Sequence, residues 1–169
     1  EVFDGTSLES LDQAHPALFT VEYALAQLIM SYGVVPAAVA GHSVGELAAA
    51  TVAGVFDLPT AIKVVSLRAQ LMTDAPGGAM VAVAASADDL AAVNDPGSCV
   101  VAGPEEAILA FSDRVAAQGI LARRVRSSHA GHSRSMDGVL APFAEYLATV
   151  TLHPPRIPML SNITGTWMP

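Results

Sequence analysis

Cysteine, cationic side chains and aromatic rings are all scarce in this chain. A single cysteine, Cys99, excludes a disulfide scaffold and any zinc site built on thiolates. Alone among apolar neighbours, it is expected as a small buried hydrophobe in a reducing, cytoplasmic setting. Lysine and arginine total 8 against 16 aspartates and glutamates, a net charge of −8, which excludes the basic face of a nucleic-acid binder. Charged residues make up only 14% and hydrophobic residues 52%, the reverse of a disordered chain. No signal peptide is visible, because the opening EVFDGTSLES is acidic and polar. Its linker-like character leads us to expect a piece cut from something larger. Charge is missing altogether from Tyr23 to Gly45, a stretch long enough to span a bilayer. Gly33 and Pro36 would stop a helix there, and Gln27, Ser31, His42 and Ser43 are polar. Two elements joined by a turn are therefore expected, and no membrane span.

The hydrophobic period sorts the rest of the chain. Pro16 opens a helical pattern with Leu18, Val21, Leu25, Leu28 and Ile29 on one face, and Gly33 ends it. Residues 36–40 form a short apolar run suited to a buried strand. An Ala-rich helix from Glu46 to Val55 closes at Gly54, and Asp57-Leu58-Pro59 starts another with proline in its first turn. Pro76-Gly77-Gly78 then breaks the chain. Met80–Val83, Cys99–Ala102 and Ile120–Arg126 read as strands. Between them, Ser86 with Asp89 suggests a capping box, and Glu105-Glu106 put acids in the first turn of a helix ending at Gly119. This βαβαβ stretch, 79–128, is expected as a small α+β subdomain inserted into an α/β core made of 1–78 and 129–169. A last helix carries Val139, Leu140, Phe143 and Leu147 on one face, with Pro142 kinking it or marking its true first turn. Ile157–Leu160 looks like a returning strand.

Chemistry concentrates at Gly41-His42-Ser43-Val44-Gly45, a Gly-x-Ser-x-Gly turn between an expected strand and an expected helix. Such a nucleophile elbow is too tight for side chains at its glycines, and it lifts the serine clear at a helix N-terminus. The backbone N–H of Val44 then lies where an oxyanion would form. A serine nucleophile needs a base, and the histidines are His15, His42, His129, His132 and His153. His42 adjoins Ser43 and points to the opposite face, while His153 lies beside two prolines. Ser128-His129-Ala130-Gly131-His132-Ser133, with two histidines after a strand, is the best source of the base.

Several of these motifs carry a family resemblance. Gly41-His42-Ser43-Val44-Gly45-Glu46 is similar to the GHSxGE signature of malonyl-CoA:acyl-carrier-protein transacylases and of polyketide synthase acyltransferase domains. His129-Ala130-Gly131-His132 resembles their HAFH segment, and His15-Pro16-Ala17-Leu18-Phe19 their QPALF stretch, with histidine in place of glutamine. Asn94 to Pro104 resembles the run through their small ferredoxin-like subdomain. The resemblance implies an α/β fold, a hydrolase-like parallel-sheet core with a small inserted ferredoxin-like subdomain. It implies Ser43 as nucleophile, His132 as base, Val44 N–H as oxyanion donor and Arg68 as the partner of a substrate carboxylate. His15, His42, Asn94, His129 and Gly131 are expected around the substrate. No bound cofactor or metal is implied, only an acyl-CoA substrate and the phosphopantetheine thiol of an acyl carrier protein. A ketosynthase and other synthase domains would be its neighbours, in polyketide or complex-lipid synthesis.

Departures from the pattern bear on activity. The family's early GQG strand has no counterpart before Glu1, nor has the segment that orients the catalytic histidine beyond Pro169, so an incomplete copy is expected. Two other readings use the same residues: a serine hydrolase or thioesterase, and a non-catalytic scaffold piece of a megasynthase. The extender unit is ambiguous. Val44 and His129 look malonyl-type, whereas Gly131 replaces a bulky phenylalanine and leaves room for methylmalonyl.

Overall fold

In a computed structural model, residues 8, 10–84, 92–95 and 98–169 are described, and they form a mixed α/β fold. Chain contacts divide it into two compact units, Glu1–Gln70 with Phe143–Pro169, and Leu71–Pro142. The expected insert 79–128 lies within the second unit, which extends beyond it on both sides.

The first unit is built on α1 (Leu11–Ser31), α2 (Val44–Ala53) and most of α3 (Leu58–Asp74). Gly33, at φ +87°, follows α1 as expected, and Gly54, at φ +82°, caps α2 in the left-handed conformation that glycine adopts at no steric cost. Asp57 accepts the Thr60 amide at 2.8 Å, capping α3. Hydrogen bonds from Thr60 hold its carboxyl below the usual range. The small side chains of α2 let α1 approach closely, so Phe19 and Val44 share one core with Ala48, Ala49, Phe56, Val65 and Met159. Phe19 and Tyr23 stack at 6.1 Å along α1.

The apolar stripe of α1 is not what this core buries. Leu18, Val21, Leu25, Leu28 and Ile29 are 43–53% exposed, while Ala17 and Phe19 go inward. Residues 36–40 are likewise not a buried strand. Val39 makes a single parallel bridge with Met159, donating to Pro158 O at 2.8 Å and accepting from Leu160 N at 3.1 Å. Both departures leave apolar side chains partly exposed. The result is an apolar groove of about 690 Å³ between α1, residues 34–41 and α2, with Leu18, Ile29, Val34, Val39 and Val52 on its walls. Among the described residues no helix is long and apolar enough to cross a membrane.

The second unit holds a four-stranded antiparallel sheet of β1 (Ala79–Val83), β2 (Ala92–Asp95), β3 (Ser98–Gly103) and β4 (Ala122–Arg124), in the order β2-β3-β1-β4. Three strands were expected, and β2 is the addition. The third expected strand, 120–126, shortens to β4. Alternation in β1 aims Val81 and Val83 at α4 (Glu105–Ala117), where they meet Ile108, Val115 and the buried Cys99. The expected helix start at Ser86 and Asp89 lies outside the described residues. A short 3₁₀ turn, Arg134–Met136, leads into α5 (Asp137–Leu147), and Pro142 sits inside that helix without breaking it.

Candidate active site

Ser43 leaves no ambiguity about the turn that carries it. Its φ of 54° and ψ of −115° put an ordinary L-residue in sparsely populated backbone space, immediately before α2. Such strain persists only where the surroundings over-determine it, and it clusters at functional sites. Gly41 is one enforcing contact, since a Cβ there would overlap the carbonyl of Gly45. Gly45 differs from expectation: a Cβ would meet only the Glu22 carboxylate oxygens, at 3.6 Å, so close packing does not require glycine there. Gly45 N bonds to His42 O at 2.9 Å and Glu46 N to Ser43 O at 3.1 Å, closing the turn. Val44 is buried, and its N–H is the first of α2, a position to which intrahelical bonding supplies no carbonyl.

Arg68, on α3, comes to the elbow from within the same unit. Its Nη2 donates to Ser43 Oγ at 3.2 Å, and its Nη1 lies 3.3 Å from His15 Nδ1 on α1. Burial lowers its pKa from the ordinary value, yet a guanidinium has so much range that it keeps its charge. A cation withdrawn from water beside a serine hydroxyl is costly unless it meets an acceptor, so the arrangement is poised for an anion. His42, also expected near the substrate, is exposed on the turn itself.

Two supporting residues escaped the sequence reading. Asn162 donates from Nδ2 to Gly41 O at 2.6 Å, and its backbone N–H donates to Glu46 Oε1 at 3.0 Å, which ties the elbow down from both ends. Glu46 was visible as the last residue of the motif, but Asn162 lies 121 positions away from Gly41 and carried no signal. Removing the amide in Asn162→Ala is expected to destabilise the chain by about 1 kcal/mol and slow labelling of Ser43 by a fluorophosphonate probe. A thermal melt and a labelling time course check it. Glu22 is the other surprise. It borders the apolar groove beside Gly45, burial raises its pKa, and its Oε2 is buried with no hydrogen-bond partner among the described residues.

The remaining expected residues belong to the second unit. His132 is the only other non-glycine at positive φ among the described residues, at 58°, and its ring is exposed. His129 is held at both nitrogens: Nε2 donates to Thr73 O at 3.0 Å and Nδ1 meets Ser128 Oγ at 2.9 Å. These two bonds hold the ring in place, with Nε2 carrying a proton. Gly131 is not in the left-handed region, and a Cβ there would make ordinary contacts with Met80 Sδ at 3.7 Å and Met72 Cε at 3.8 Å. The space left by the missing side chain is thus partly taken by two flexible methionine ends. The side chain of Asn94, in β2, lies outside the described residues. Among those residues no group of three or more His, Cys, Asp or Glu could hold a metal ion.

Residues 3–168 match the family described as acyl transferase domain. The chain is 56% identical over 180 residues to a phenolphthiocerol/phthiocerol polyketide synthase polypeptide of Mycobacterium tuberculosis, covering 99% of this chain and 12% of that one. In structure it resembles the acyltransferase domain from the second module of the salinomycin polyketide synthase, with a TM-score of 0.90 and 45% identity over 95% of this chain. It also resembles the acyl transferase domain of SpnD complexed with 2-(pent-4-yn-1-yl)malonyl, with a TM-score of 0.93 and 42% identity over 99% of this chain. It spans 41% and 43% of those two solved chains.

Proposed function

The chain belongs to the acyl transferase domain family, of the kind found in polyketide synthases, and from that premise we propose that it loads a malonyl-type extender unit onto Ser43 and passes it to a carrier thiol. The observation that carries this reading is Arg68 donating to the oxygen of a strained serine. A nucleophile alone would suit any acyl group. A desolvated guanidinium beside it suits one that ends in a carboxylate.

In this mechanism Ser43 Oγ attacks the thioester carbonyl of the acyl-CoA while His132 takes its proton. Val44 N–H stabilises the oxyanion, and Arg68 grips the distal carboxylate through its planar fork, a match an ammonium cannot make. Collapse expels the CoA thiolate, which recovers the proton from His132 and leaves an acyl-serine ester. The phosphopantetheine thiol of an acyl carrier protein then repeats the sequence in reverse. Flanking ketosynthase and other synthase domains would deliver that carrier, and no bound cofactor takes part. The assignment of His132 rests on the HAxH resemblance and on its strained backbone. His129 stays in the reading as a residue beside the substrate, with a second role as an anchor of the segment through its bonds to Thr73 O and Ser128 Oγ. For the architecture we propose a hydrolase-like core with a ferredoxin-like insert, supported by the β2-β3-β1-β4 order and by the elbow.

Arg68→Ala is the direct test of the substrate class. An unpaired carboxylate in a partly buried site should cost malonyl-CoA about 30-fold or more in kcat/KM, and acetyl-CoA far less. A variant that still preferred malonyl would refute the reading.

Extender choice follows from Gly131. The methionine ends beside it can shift, so a methyl group is accommodated and both malonyl and methylmalonyl are accepted. The related acyl transferase domain of SpnD is solved in complex with 2-(pent-4-yn-1-yl)malonyl, an α-substituted malonyl group, which supports this reading. Gly131→Phe should push the kcat/KM ratio towards malonyl by about tenfold, the scale set by one methylene in a pocket. Because Gly131 carries no left-handed φ, a general loss of activity from backbone strain is not expected. An unchanged ratio would contradict the pocket account.

A further inference from the structure

We infer that His15 is a positioning residue, which acts through Arg68 to select acyl groups bearing a carboxylate. The inference deepens the proposed function and rests on it. Arginine nitrogens only donate, so the 3.3 Å approach of Arg68 Nη1 to His15 Nδ1 makes Nδ1 the acceptor and places the imidazole proton on Nε2. The other terminal nitrogen, Nη2, donates to Ser43 Oγ. With both ends of the fork occupied, the plane of the guanidinium is defined by two points on two elements, α1 and the elbow. An arginine side chain has several rotatable bonds, and partial burial has removed much of the water that would otherwise satisfy its N–H groups. Without an acceptor at position 15, the fork would turn about its terminal bonds to find one elsewhere.

The location of His15 suits this work. It sits within the first two turns of α1, directly before Pro16, whose ring fixes the local backbone. What the position requires is a side-chain acceptor within reach of Nη1, which the imidazole Nδ1 supplies and an amide oxygen can also supply. A carboxylate arriving at the elbow would exchange for Ser43 Oγ as the partner of Nη2, leaving the hydrogen bond to His15 in place. The hydroxyl is thereby released for attack at the moment the right acyl group binds. An acyl group with no carboxylate gains nothing from a well-aimed fork.

The test is steady-state acylation of the full chain and of His15→Ala, His15→Gln and Arg68→Ala, with malonyl-CoA and acetyl-CoA. Expected for His15→Ala is a KM for malonyl-CoA raised about tenfold relative to that for acetyl-CoA, the scale of one hydrogen bond to a charged group. The fall in kcat should be smaller. His15→Gln keeps a side-chain acceptor and should recover most of the preference. Equal losses on both substrates, or a kcat loss with KM unmoved, would overturn the inference in favour of a structural role. So would failure of glutamine to rescue. If Arg68→Ala abolishes the malonyl preference while His15→Ala keeps it, only the role of His15 falls. If Arg68→Ala keeps it as well, the proposed carboxylate recognition falls, and His15 with it.

Discussion

Ser43→Ala is expected to abolish self-acylation from malonyl-CoA while leaving the fold in place. The change deletes the one oxygen that can accept the acyl group, so no slower covalent route remains through this residue. Its structural effect is small: it removes the hydrogen bond from Arg68 at 3.2 Å, worth about 1 kcal/mol, and alanine inherits the same strained φ of 54°. Intact mass after incubation reads the first effect, and circular dichroism with a melt reads the second. A Ser43→Ala chain that still gained acyl mass at the original rate would move the nucleophile elsewhere.

His132→Ala should follow closely in magnitude. Loss of a general base lowers such a step by about 10²–10⁴-fold, and the acylation rate of the alanine variant is expected in that range. His129→Ala is the informative partner. Its ring bonds to Thr73 O and Ser128 Oγ, so its removal should appear first as lowered stability, about 1–2 kcal/mol, and only secondarily in rate. The pair of single-turnover rates, corrected for melting temperature, separates the two histidines. Equal rate losses would show that the base was assigned to the wrong one.

The sequence disclosed the elbow so clearly because the constraint is local. Five consecutive residues set the turn, and Gly41 is irreplaceable for a contact only four positions away, at Gly45. Arg68 and His15 were legible only through family resemblance, since nothing in α1 or α3 taken alone says that these two side chains meet. Asn162 was not legible at all, because its amide reaches an elbow carbonyl from the far end of the same unit. The stripe on α1 marks a different limit. Hydrophobic period reports that a helix face is apolar, not which element covers it, and Leu25 and Leu28 remain about half exposed. The strand β2 was missed for a compositional reason. Four residues that include Asn94 and Asp95 have low strand propensity, although Pro96-Gly97 directly after them is a turn signal that could have exposed a hairpin.

Partition of the acyl-enzyme between thiol and water bears most directly on the claim that this is a transferase working through Ser43. The chain would be loaded with malonyl-CoA, freed of excess CoA, and divided between buffer alone and buffer containing pantetheine. Intact mass would then be followed in both. The expected result is a malonyl adduct on the peptide containing Ser43, persistent in buffer and discharged rapidly to the thiol as malonyl-pantetheine. Release as free malonate at the same rate with or without the thiol would make the protein a hydrolase and contradict the account.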